Sequence, residues 1–184
     1  RLLNSLDHVT DGRLAFNVVA SSRGADAANY GFDELMPHAE RYERMAEFVA
    51  VCKALWHSVA PDAIVRERER GRFADPKKVH AIDHRGTHFT VKGPLSAVPS
   101  PQIEPVLVQA GGSPAGIQTS AQFVELAFGF GGSVAAQQKY RESLDAAVAA
   151  AGRDPLSVGV LWATQLIVGR TAAEADERRR SVLS

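Results

Sequence analysis

Two hydrophobic periods alternate along the chain. Leu14-Ala15-Phe16-Asn17-Val18-Val19-Ala20 is a short apolar run rich in β-branched residues. Continuous runs of this kind mark strands covered on both faces, as in parallel sheets. Over residues 38–58 the period lengthens. Tyr42, Met45, Val49, Cys52, Leu55 and Trp56 recur at spacings of three and four, while Glu40, Arg41, Glu43, Arg44, Glu47 and Lys53 fall mostly on the other side. This predicts a helix with one apolar face. The pair of patterns then repeats. Residues 105–110 read as a second buried strand, 114–122 as a helix, 124–128 as a third strand, 134–151 as a helix and 158–168 as a fourth strand. Residues 1–8 read as the tail of a helix closed by the turn Thr10-Asp11-Gly12. Strands alternating with helices predict a parallel α/β sheet, closed as a barrel or doubly wound.

Punctuation supports these boundaries. Gly152 suits the left-handed position that ends a helix, and Pro155 blocks its continuation. Thr171-Ala172-Ala173-Glu174 has capping-box spacing and opens a last helix. Residues 21–33 read as a polar loop. Residues 61–104 carry charges, prolines and three histidines, a stretch too long for an ordinary connection, and are expected to be a functional insertion. Within it, the alternation in Thr87-His88-Phe89-Thr90-Val91 predicts a short hairpin.

Composition narrows the function classes. The 21 basic and 21 acidic side chains cancel, which argues against nucleic acid as partner, since phosphate backbones demand a basic excess. No apolar run approaches the ~20 residues that span a bilayer. The single cysteine, Cys52, cannot form an internal disulfide, so a reducing cytoplasm is expected, and its place on the apolar stripe predicts an inert core residue. A complete (β/α)8 barrel typically takes ~250 residues. These 184 residues, opening at Arg1 in mid-helix, are expected to be part of a fold rather than a whole one.

Chemistry-bearing residues are few. In Gly111-Gly112-Ser113-Pro114, Ser113 is placed as an N-cap and Pro114 as the first helical residue, where its missing N–H costs nothing. Gly111 and Gly112 allow close approach to the backbone. The turn therefore reads either as a bare strand-to-helix connection or as an anion site made by free N–H groups and the Ser113 hydroxyl. It matches neither the Walker pattern nor the dinucleotide fingerprint. His38 and Tyr42, one helical turn apart, can face one pocket and donate to an anion or a ring carbonyl, although periodicity alone fits Tyr42 equally well as core. His80, His84 and His88 would stack for a metal only on a continuous helix. Gly86 and the strand-like 87–91 deny them one, so surface or insertion-packing histidines are expected. Arg66-Glu67-Arg68-Glu69-Arg70 alternates in sign and reads as a solvated helix or loop. No nucleophilic triad or carboxylate pair stands out.

Taken together, the motifs resemble a known family. Leu6-Asp7-His8, Asp11-Gly12-Arg13 and Phe16-Asn17-Val18-Val19 resemble the approach to a barrel strand in the bacterial luciferase-like flavin-dependent monooxygenases. The narrower likeness is to the branch that holds nitrilotriacetate monooxygenase component A and dibenzothiophene-sulfone monooxygenase. It continues through Ala28-Asn29-Tyr30-Gly31, His38-x-x-Arg41-Tyr42, Gly71-Arg72-Phe73-Ala74-Asp75-Pro76 and Lys78-Val79-His80-x-Ile82-Asp83-His84. Phe89-x-Val91-x-Gly93-Pro94-Leu95 and Gln109-Ala110-Gly111-Gly112-Ser113-x-x-Gly116 close the series.

The resemblance implies a TIM-like (β/α)8 barrel of the luciferase-like type, with residues 1–184 its central part, and a two-component monooxygenase. Reduced FMN, supplied by an NAD(P)H:flavin oxidoreductase, would react with O2 to a C4a-(hydro)peroxide that oxygenates a small organic substrate. It also implies self-association into a homo-oligomer. Carried over by position, Gly112 and Ser113 would hold the FMN phosphate, His38 and Tyr42 would contact the flavin, and Asn17 would lie near the isoalloxazine. The insertion at 61–104 would cover the site. The resemblance names no catalytic side chain and no metal. Phe16 stands where relatives often carry tryptophan, and Ala20 where threonine is common. Two alternatives share the barrel: an F420-dependent oxidoreductase, and a truncated, non-catalytic barrel.

Overall fold

The computed structural model describes residues 1–183. After α1 (Leu2–Thr10), strand β1 (Ala15–Asn17) leads through two helices, α2 (Gly24–Asn29) and α3 (His38–Trp56). Two small hairpins follow, β2 (Ile64–Glu67) with β3 (Arg72–Ala74) and β4 (His84–Arg85) with β5 (Thr90–Val91). The chain then alternates strictly: β6 (Val106–Ala110), α4 (Pro114–Phe123), β7 (Leu126–Gly129), α5 (Val134–Ala150), β8 (Gly159–Trp162) and α6 (Ala172–Leu183).

β1, β6, β7 and β8 form one parallel sheet in that order. One face carries Val18, Leu107, Ala127 and Val158, buried against Met45 and Val49 of α3, Ala121 and Phe123 of α4, and Leu144 and Val148 of α5. The opposite face is open: Asn17, Ala110 and Leu161 are exposed there. Register aligns Ala110 with Phe128 and Phe128 with Leu161 across three strands, the kind of row that forms a layer inside a barrel. This is the α/β arrangement expected, with four of the eight strands a barrel requires. No helix among the described residues is long and apolar enough to cross a membrane.

Helix ends are satisfied as the punctuation implies. Gly152 is left-handed at φ 73°, and Arg153 N–H reaches back to Val148 O at 3.1 Å. The Arg153 guanidinium then caps the preceding helix, donating to Ala121 O at 3.0 Å and Val124 O at 2.8 Å. Cys52 is half-buried against the core, and burial pushes its thiol up to about 11, which keeps it un-ionised and inert at neutral pH.

Several expectations need correction. The loop at 21–33 contains α2, whose Asp26 carboxylate accepts from Arg23 N–H at 3.3 Å. The strands are shorter than the apolar runs. β1 pairs over three residues and β8 ends at Trp162, so 163–168 leave the sheet. The alternating charges at 66–70 are only partly the solvated loop expected. Their first part lies in β2, interrupted where Arg66 takes φ 52° and the register shifts. Arg68, Glu69 and Arg70 form the exposed turn between β2 and β3. The second hairpin begins earlier than predicted, pairing His84 and Arg85 with Val91 and Thr90 around a turn closed by Gly86 N–H to Phe89 O. Thr171 Oγ1 accepts from Glu174 N–H as predicted, but the Glu174 carboxylate turns to Arg170 N–H.

Polar side chains tie the segment 61–104 to α3 and the residues just beyond it, beside the backbone bonds from His80 N–H to Ser58 O and from Ala60 N–H to Lys78 O. Glu47 binds the second hairpin. Ser58 Oγ accepts from Leu95 N–H at 2.8 Å. Glu104 bridges Lys53 at 2.9 Å and His57 at 2.6 Å.

Arg153→Ala removes two charge-assisted bonds to carbonyls at the end of α4. Urea unfolding of the intact protein is expected to show a loss of about 2 kcal/mol. A midpoint within error of the parent would contradict the capping role.

Candidate functional site

The turn between β6 and α4 is built by close approach. A Cβ on Gly111 would stand 3.3 Å from Gly116 Cα. One on Gly116 would meet Ser113 Oγ at 3.1 Å, Gly111 Cα at 3.2 Å and the Tyr42 hydroxyl oxygen at 3.2 Å. Both positions therefore need glycine for space rather than for φ. Gly112, by contrast, faces open space. Ser113 is the N-cap, its Oγ accepting from Gly116 N–H at 3.1 Å. That bond leaves the hydroxyl proton free to donate outward. Among the described residues no acceptor takes the N–H of Gly112, Ser113 or Ala115. Two further contacts steady the turn: Tyr140 O–H donates to Gly111 O at 3.3 Å, and buried Gln109 accepts from Ser120 O–H at 2.7 Å.

Tyr42 arrives from α3. Its hydroxyl lies against Gly116 beside Ser113, and His38 packs on its ring with centroids 4.8 Å apart. Two hydroxyls, free N–H groups and a helix N-terminus thus share one spot, the donor set that an anion such as a phosphate requires. The structure brings Tyr42, Gly112 and Ser113 together, with His38 joined through Tyr42.

Asn17 sits elsewhere. It ends β1 and lines a cleft of about 560 Å³ with Phe16, Tyr30, Phe32, Arg41, Arg44 and Phe48, but with none of the cradle residues. Its strand pairs directly with β6, so cleft and cradle open at the same edge of the sheet, on either side of α3. Arg41 donates to Ser21 O in the cleft wall, and Asp26 and Glu34 balance the two arginines there. A smaller cleft of about 470 Å³ lies at the same edge, between Phe130, Gly131 and Gln137 beyond β7 and Ala163 to Gln165 beyond β8.

Sequence reasoning missed Glu47. Only 15% of its side chain is exposed, and both carboxylate oxygens are engaged. Oε1 accepts from His84 Nε2 and Phe89 N–H, and Oε2 from His88 N–H, all at 2.9 Å. The His84 bond first, then the two backbone bonds, lower its pKa from 4.5 to about 2, against the opposing effect of burial. An ionised Glu47 cannot donate, so His84 carries its proton on Nε2. This gives His84 a packing role in the insertion. Glu47 was hidden among the other charges on the polar side of α3, since its partners lie 37 to 42 positions away. Phe89, beside the clamp, lines the cleft.

Comparisons place these features among known proteins. The luciferase-like monooxygenase family profile matches residues 2–184. Dibenzothiophene-sulfone monooxygenase of Rhodococcus erythropolis is 39% identical over 178 residues, covering 97% of this chain and 39% of the relative. The crystal structure of long-chain alkane monooxygenase superposes with a TM-score of 0.89 at 36% identity, over 97% of this chain and 41% of that one. Riboflavin lyase, solved with modified FMN and riboflavin, superposes at 0.87 with 34% identity, over 98% of this chain and 40% of that one. The chain thus spans about two fifths of the length of the relatives it matches.

Because Glu47 is more acidic folded than unfolded, the stabilisation it brings is full above pH 4.5 and is lost as pH falls toward about 2. Urea midpoints of the intact protein between pH 5 and about 2 are expected to fall more steeply than those of Glu47→Gln. Parallel slopes would show that the clamp contributes nothing.

Proposed function

The chain belongs to the luciferase-like monooxygenase family, and from that premise we propose that the intact protein is a monooxygenase using reduced FMN. A separate NAD(P)H:flavin oxidoreductase supplies the flavin, and the co-substrates are O2 and a small organic molecule. The observation that carries the reading is the cradle at the start of α4. Its free N–H groups, the Ser113 hydroxyl and the Tyr42 hydroxyl fit the phosphate of a mononucleotide.

In this reading the Gly112 and Ser113 backbone and the Ser113 side chain hold the phosphate. Tyr42 adds a donor, and His38 fixes the Tyr42 ring by packing against it. Asn17 offers an amide at the mouth of the cleft, where donor and acceptor atoms can read the polar edge of a flavin ring. Bound reduced flavin supplies the electrons that activate O2 toward the substrate. The protein's share is to bind, orient and keep water out, and the aromatic lining of the cleft suits that task.

The test is anaerobic titration of the intact protein with reduced FMN. Ser113→Ala is expected to weaken binding about tenfold, the equivalent of ~1.4 kcal/mol. Unchanged affinity removes the phosphate assignment. Tighter binding of F420 than of reduced FMN by the parent protein overturns the cofactor.

A further inference from the structure

We infer that Glu47 is a positioning residue: its grip on the turn at 86–89 fixes Phe89 as a wall of the cleft and so sets the size of substrate the cleft accepts. The inference rests on the proposed monooxygenase and adds to it that the substrate enters the cleft whose mouth, at Asn17, would meet the flavin ring.

The β4–β5 hairpin cannot hold itself. It pairs over two residues per strand, and an isolated hairpin of any length is marginal in water. Its position must come from outside, and α3 supplies it. Glu47 takes the N–H groups of two successive residues, His88 and Phe89, as well as the His84 ring nitrogen. The turn presses so closely that a Cβ on Gly86 would fall 2.0 Å from Glu47 Oε1. Glycine is obligatory there while the clamp is closed.

The same face of α3 flanks the ring that the clamp delivers. Arg44 and Phe48 lie three residues before and one after Glu47. The Arg44 guanidinium sits 5.3 Å from the Phe89 ring centre, and the Phe48 ring centre is 6.0 Å away. Arg44, Phe48 and Phe89 all line the cleft. One helix face thus grips the backbone of residues 88 and 89 and seats the side chain of the second. A glutamine cannot replace the carboxylate, because it turns one of two acceptors into a donor facing an N–H.

A clamp that merely stabilised the insertion would leave ligand choice alone. The test therefore reads both, on Glu47→Gln, Gly86→Ala and Phe89→Ala variants of the intact protein. Hydrogen exchange over residues 84–91 reports the grip. Calorimetric binding of benzyl alcohol and of 2-naphthalenemethanol reports the wall. Glu47→Gln and Gly86→Ala are expected to speed exchange about tenfold or more, as local opening replaces a fixed turn. All three variants are expected to shift the affinity ratio about fivefold or more toward the larger alcohol. Gly86→Ala breaks the same contact from the other side, so the inference stays testable if one variant fails to fold. Exchange unchanged in both clamp variants, or faster exchange with an unchanged ratio, overturns the inference alone. A parent protein that binds neither alcohol overturns the cleft as substrate site and the inference with it.

Discussion

A parallel sheet cannot return its chain through hairpins, so each crossover must pass over a face, and here the helices take one face. Val18, Leu107, Ala127 and Val158 give that face its apolar surface, and α3, α4 and α5 cover it. One consequence is geometric: β1, β6, β7 and β8 all point the same way, and their C-terminal ends share one edge. Asn17, the turn at 111–113, Phe130 and Ala163 fall on that edge because of the crossovers, not because they attract each other. The other consequence is chemical. The covered face leaves the edge as the place where backbone groups stay free, which is where ligands bind in such sheets.

What the sequence disclosed follows the range of the forces involved. The strand and helix alternation was legible because burial on one face leaves a period in the chain, and the Ser113–Pro114 start of α4 because capping is local. The contact of Tyr42 with Gly116 was half legible. Helical spacing paired Tyr42 with His38, but nothing local showed that α3 would lay that hydroxyl over the start of α4. Strand ends were overestimated because apolar runs continue past the last ladder bond. Glu47 was invisible, since its three partners come from a segment whose position the helix itself dictates.

The insertion shows how a long connection becomes part of a site. Its own strands are too short to order it. Contacts at Glu47, at Ser58 and at Lys53 with His57 fasten it along α3 and its end instead. Since α3 also carries Tyr42 on one flank and Arg41, Arg44 and Phe48 on another, a single helix relates the turn at 111–113 to the cleft wall.

A crystal structure of the intact protein with FMN tests directly whether the turn at 111–113 holds the phosphate. The phosphate should lie within hydrogen-bonding distance of Ser113 Oγ and of the N–H groups of Gly112 and Ser113, with the Tyr42 hydroxyl beside it. A phosphate held instead by Arg41 and Arg44 in the cleft, with the turn at 111–113 bare, would contradict it.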